Sequence, residues 1–98
     1  MDKDAVIARL TANRHRLESM GLSGISLFGS TARGTQTSSS DIDLAVTLDR
    51  SAGIDLFRFA ALTENVRRLL GTPVDMIIEP ARSSRMQAQI DRDRLRVY

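Results

Sequence analysis

Ile25-Ser26-Leu27-Phe28-Gly29-Ser30-Thr31-Ala32-Arg33-Gly34, then after a polar loop Ser40-Asp41-Ile42-Asp43-Leu44-Ala45-Val46, is the stretch that decides the fold of this chain. It reads as a strand, a tight Gly-Ser turn, a connection and a second strand opening with two carboxylates. Asp41 and Asp43 lie two positions apart, so strand periodicity puts both side chains on one face, roughly 6.5–7 Å apart. Ile42, Leu44 and Val46 then face a core. Two carboxylates so placed repel each other unless a cation sits between them, and a hard divalent ion with oxygen ligands is the usual occupant. Gly29 lets a phosphate approach the backbone closely. Ser30 adds a hydroxyl and can cap a short helix whose free N–H groups favour anions. A phosphate cradle beside a dicarboxylate metal site is equipment for phosphoryl or nucleotidyl transfer.

Working outward, 4–20 reads as a first helix, capped by Asp2 or Asp4, with Ile7, Leu10 and Leu17 on one apolar stripe and Val6 and Met20 at its margins. His15, the only histidine, falls off that stripe and is expected at the surface. Gly21 ends the helix. Strand one is expected over 24–28, a turn of helix over 31–34, a loop over 35–40 and strand two from Asp41 to Thr47 or Leu48. The run Thr37-Ser38-Ser39-Ser40 reads either as a plain connection or as a cover for a bound triphosphate. Asp49 or Ser51 can cap the next helix, whose core side carries Leu56, Phe59, Leu62, Val66 and Leu69, with Arg58, Arg67 and Arg68 outside. Gly71 terminates it, and Pro73 forbids resumption. Strand three is 74–78. Asp75 in this apolar run is costly unless it reaches water, is paired or is metal-bound. Pro80 closes the strand, and Ser83 or Ser84 opens a last helix holding Met86, Ile90 and Val97.

The short link makes strands one and two antiparallel neighbours, and the helical crossover makes two and three parallel. The expected architecture is therefore α/β, a three-stranded mixed sheet in order 1-2-3 with about four flanking helices. That order brings Asp75 beside Asp41 and Asp43. The 98 residues suit one domain, 1–98, and no internal repeat is visible.

Composition narrows the classes. The 42% hydrophobic and 27% charged fractions are those of an ordinary globular protein. No apolar run approaches membrane-spanning length, and Met1–Leu10 lacks the apolar core of a signal peptide, so a cytoplasmic protein is expected. The absence of cysteine excludes a disulfide framework and a thiolate zinc site. No Gly-Lys-Ser/Thr occurs, which excludes a P-loop. Net charge is +2, with Lys3 the sole lysine and five arginines at Arg82, Arg85, Arg92, Arg94 and Arg96. That cluster reads as a solvated helix face balanced by Asp91 and Asp93, or as a surface for an anion or partner. Three Phe and one Tyr are too few for a base-stacking platform, so a nucleic-acid partner is not expected.

Gly29-Ser30, ten intervening positions, then Asp41-Ile42-Asp43 resembles the signature of the DNA polymerase beta superfamily of nucleotidyltransferases. The fuller pattern, GSTARG followed by SDIDL, is most similar to the minimal nucleotidyltransferase (MNT) group, whose members pair with HEPN proteins in toxin–antitoxin modules. The resemblance covers nearly the whole chain and implies the minimal nucleotidyltransferase fold, with Asp75 matching the third acidic position. Asp41, Asp43 and Asp75 would then be the catalytic residues and the ligands of two Mg²⁺ ions. Gly29 and Ser30 would grip the terminal phosphates of the nucleotide, and Asp75 would also accept the acceptor's proton. Arg33 is either a further phosphate clamp or a surface arginine pairing with a helix end. The resemblance implies ATP as donor, AMP as the group transferred and a tyrosine of the HEPN ribonuclease toxin as acceptor, which makes the chain an antitoxin. Ninety-eight residues leave no room for a domain that presents the acceptor, so a partner is expected to do so. The competing readings are an antitoxin that masks its toxin by contact alone, an enzyme modifying a small molecule such as an antibiotic, and a nucleic-acid polymerase.

Overall fold

The computed structural model describes residues 1–98. A four-stranded mixed sheet carries helices on both faces. Its strands are β1 (Leu22–Phe28), β2 (Ile42–Leu48), β3 (Val74–Ile78) and β4 (Leu95–Arg96), in the order β3-β2-β1-β4. β1 and β2 are antiparallel, and β2 and β3 parallel, as the connections require. The expected three-stranded order is thus present but incomplete. β4 adds a short antiparallel edge to β1, pairing Ser26 with Arg96 and Leu27 with Leu95. Val97, expected on the last helix, lies beyond it, because that helix ends at Asp93.

Five α-helices surround the sheet: α1 (Lys3–Ala12), α2 (Arg14–Ser19), α3 (Gly29–Arg33), α4 (Leu56–Leu70) and α5 (Ser84–Asp93). The single first helix anticipated over 4–20 is two. Asn13 leaves helical geometry at φ −108° and ψ 14°, and its side-chain amide donates to the Arg9 carbonyl at 2.8 Å. Such side-chain bonding competes with the helical ladder. Asp49 caps a separate 3₁₀ turn, Arg50–Ala52, and Asp55 caps α4 by accepting from the Arg58 N–H. α4 buries Leu62, Val66 and Leu70, while Leu56 is 79% exposed and so is no core residue. It stands in the first turn of the helix, in an open groove beside Ile77 and Ile78 of β3.

Strand alternation sorts the two faces. Ile25, Leu27, Ile42, Leu44, Val46, Val74 and Met76 join Val6, Leu10, Leu17, Leu62 and Val66 in the main core. On the opposite face Phe28 and Ala45 pack against Ile90 of α5, with Ile77, Ala81 and Met86 around them. Asp43 and Asp75 fall on this second face. His15 is exposed, and no helix is long and apolar enough to cross a membrane.

Behind that face a polar cluster ties α5 to the sheet. The Arg94 guanidinium donates to both carboxylate oxygens of Glu79, at 2.8 and 2.5 Å, and to the buried Ser26 hydroxyl at 2.9 Å. Arg94 therefore leaves the arginine cluster for a structural task. This pairing holds the Glu79 carboxyl below its ordinary value of 4.5, with the Arg94 hydrogen bond the main cause. A depressed carboxyl contributes stability above its unfolded pKa, and that contribution is lost as pH falls through the folded value. Arg94→Met is expected to cost about 1–3 kcal/mol at neutral pH, because Glu79 and Ser26 lose a charge-assisted partner. Urea unfolding at pH 7 and in acid below pH 4.5 checks this, and the variant's deficit should shrink in acid.

Candidate active site

Two adjacent strands carry the central carboxylates. In the register of the sheet Asp43 lies between Phe28 of β1 and Asp75 of β3. Neighbouring strands are about 4.8 Å apart, so Asp43 and Asp75 leave the same face side by side. Asp41 stands one residue ahead of β2 and is exposed, as is Asp75, while Asp43 is half-buried.

Electrostatics mark Asp43 as the centre of the group. Its carboxyl is pushed above the ordinary 3.8 by burial first, then by the negative charges of Asp75 and Asp41, and is partly relieved by Arg33. Asp43 therefore feels the charges of both other sequence-predicted carboxylates. The three do not form a closed set of metal ligands. Mutual repulsion favours such an open arrangement until a cation intervenes.

Gly29 follows β1 directly and opens α3 with φ +78°. A β-carbon there would run into the Asp43 Oδ2 and come within 3.1 Å of its Cγ. Backbone and carboxylate thus meet at van der Waals limit, which requires glycine on two counts, conformation and space. The turn of helix spans Gly29–Arg33, two residues earlier than the sequence suggests, and so includes Ser30. Thr31 is buried with its hydroxyl unpartnered, and the sequence gives no hint of that.

Arg33 donates to the carboxylate of Asp93 at 2.6 Å, linking α3 to the end of α5. Its charge also reaches Asp43. Asp93 is the site neighbour that sequence reasoning missed: 60 positions separate it from Arg33 and no local pattern joins them.

The donor set fits a divalent cation. Its atoms are carboxylate oxygens, those of Asp43 and Asp75 on one face, and Arg33 relieves their repulsion only in part. The site is open on the β3 side, where the sheet ends.

Comparison with known proteins finds relatives of the chain as a whole. The profile of the nucleotidyltransferase domain family matches residues 12–98. Protein adenylyltransferase MntA of Thermococcus cleftensis is 34% identical over 76 residues, which is 76% of this chain and 75% of that protein. A Methanocaldococcus jannaschii protein, provisionally named a protein adenylyltransferase, is 43% identical over 53 residues, so the match spans about half the length of each. Among solved structures, one provisionally described as a minimal nucleotidyltransferase superposes with a TM-score of 0.79 at 32% identity, covering 97% of this chain and 95% of the other. A toxin–antitoxin structure with AMP-PNP follows with a TM-score of 0.72 at 25% identity, covering 90% and 72%. With the domain profile spanning both carboxylate strands and the glycine turn, the chain belongs to the nucleotidyltransferase domain family.

Proposed function

We propose that the chain is a Mg²⁺-dependent protein adenylyltransferase that serves as the antitoxin of a HEPN/MNT pair. In this reading it moves AMP from ATP onto a tyrosine hydroxyl of a HEPN ribonuclease toxin. The observation that carries the reading is the in-register pair Asp43 and Asp75 beside the Gly29 turn, in a chain similar to a protein adenylyltransferase over three quarters of its length. Asp41, Asp43 and Asp75 would hold two Mg²⁺ ions, which when bound would neutralise the triphosphate and acidify the acceptor hydroxyl.

The residues of the chain do the rest. Gly29 and Ser30 hold the terminal phosphates, the glycine by allowing close approach and the serine through its hydroxyl. Asp75 takes the proton of the attacking hydroxyl. The tyrosine oxygen bonds to the α-phosphorus, the bond from that phosphorus to the bridging oxygen breaks, and pyrophosphate leaves. Arg33, held by Asp93, supplies positive charge at the edge of the group.

The raised Asp43 carboxyl favours catalysis over simple masking of a toxin. A surface that works only by contact gains nothing from carboxylates whose repulsion costs stability. The test is incubation with α-labelled ATP, Mg²⁺ and a HEPN toxin. Label is expected on the toxin, about a hundredfold less with Asp75→Asn, whose nucleotide affinity should change far less. Toxin neutralised by this chain without any label would overturn the reading in favour of masking.

A further inference from the structure

The strand that carries Asp75 is the last in the sheet, and its outer edge has no protein partner. The Ile42 N–H donates to the Pro73 carbonyl and the Glu79 N–H to the Val46 carbonyl. In a parallel ladder the bonding residues alternate, so Asp75 and Ile77 turn their backbone groups to β2. Those of Val74, Met76 and Ile78 point outward. An apolar groove of about 570 Å³ runs along this edge. Leu56 and Phe59 line it from one layer, and Ala81 and Met86 from the other, with Ile78 between. Leu56 and Ile78 are 79% and 42% exposed. Arg82, exposed and without an ion pair, stands at the rim.

We propose that this edge takes up an extended segment of the protein acceptor as a fifth strand, apolar at alternate positions, with an acidic residue to meet Arg82. Main-chain groups of Met76 and Ile78 bind the segment, and the groove receives its apolar side chains. The edge strand also bears a site carboxylate, so docking and chemistry share one element. A side chain of the added strand opposite Ile77 lies against the groove, and the next one on that face, about 7 Å along, faces Asp75. A tyrosine there brings its hydroxyl to the carboxylates. The purpose of docking rests on the transferase reading, but the binding does not.

Main-chain pairing tolerates sequence variation, so the probe is a short synthetic peptide in which Val alternates with Thr and Tyr, with Glu at one end. Titrated at millimolar concentration into the ¹⁵N-labelled chain, it is expected to shift the amides of Met76 and Ile78 most. Ile78→Pro removes an outward N–H and leaves the β2 ladder intact, and should weaken binding about tenfold. Leu56→Glu, at an exposed position, should weaken it without affecting the fold. No binding, shifts centred elsewhere, or unchanged affinity in both folded variants would overturn the proposal. Binding at β3 with no AMP transfer to any acceptor would leave the docking edge standing and sink the transferase reading. Transfer to a HEPN toxin at an unchanged rate by Ile78→Pro would do the reverse.

Discussion

Asp43→Asn is expected to lower nucleotidyl transfer about a thousandfold while making the metal-free protein more stable at neutral pH. Both effects come from one carboxylate. In the native chain burial and the charges of Asp75 and Asp41 raise its pKa above 3.8, so the fold prefers this group protonated. A raised carboxyl favours folding at pH values below its unfolded pKa, and that advantage is lost as pH rises through the higher folded value. Above its folded value Asp43 carries its charge and the repulsion is felt, whereas asparagine has no such charge. Thermal unfolding without divalent ions should show the variant higher by about a degree or two at pH 7, with the gap closing below pH 3.8. Added Mg²⁺ should stabilise the native chain more than the variant. A variant that loses activity and stability together would show Asp43 to be structural.

The second large effect is at Gly29. Replacing it by alanine forces a side chain into a left-handed conformation, φ +78°, at about 1–2 kcal/mol, and presses the new β-carbon against the Asp43 carboxylate. The carboxylate must move, and transfer should fall about a hundredfold, since a displacement of about 1 Å near reacting groups is enough for that. A double-mutant cycle separates the two causes. In an Asp43→Ala background the stability cost of Gly29→Ala should drop, because only the conformational part and a milder contact remain. An undiminished cost would mean that the clash contributes nothing.

How much of this was readable in the chain itself follows from the range of the interactions. Asp41-Ile42-Asp43 and Gly29-Ser30 are local patterns on elements with clean alternation, so strands, turn and the pairing of β2 with β3 could be read directly. Asp75 could be placed because a helical crossover leaves β3 little choice of neighbour. The break at Asn13 was hidden, because Leu10 and Leu17 stay on one face across it and the stripe looks continuous. β4 was hidden for another reason. Leu95 and Arg96 are a pair with no periodicity of their own, and they become a strand only against Leu27 and Ser26. The same holds for Arg33 with Asp93 and for Arg94 with Glu79 and Ser26. Their partners are set by the folded sheet and by nothing nearby in the sequence. Leu56 shows the opposite error: helical spacing counts it into the core, but it stands exposed in the open groove beside the outer edge of β3.

The direct test of the metal-assisted site is Mn²⁺ titration, with a non-hydrolysable ATP analogue present, followed by paramagnetic broadening of backbone amide resonances. Broadening should begin at Gly29, Ser30, Asp41, Asp43 and Asp75, at substoichiometric metal, and be lost in Asp43→Asn. Broadening that begins at other acidic residues, or that persists unchanged in Asp43→Asn, would contradict the assignment of these carboxylates as the metal-holding centre.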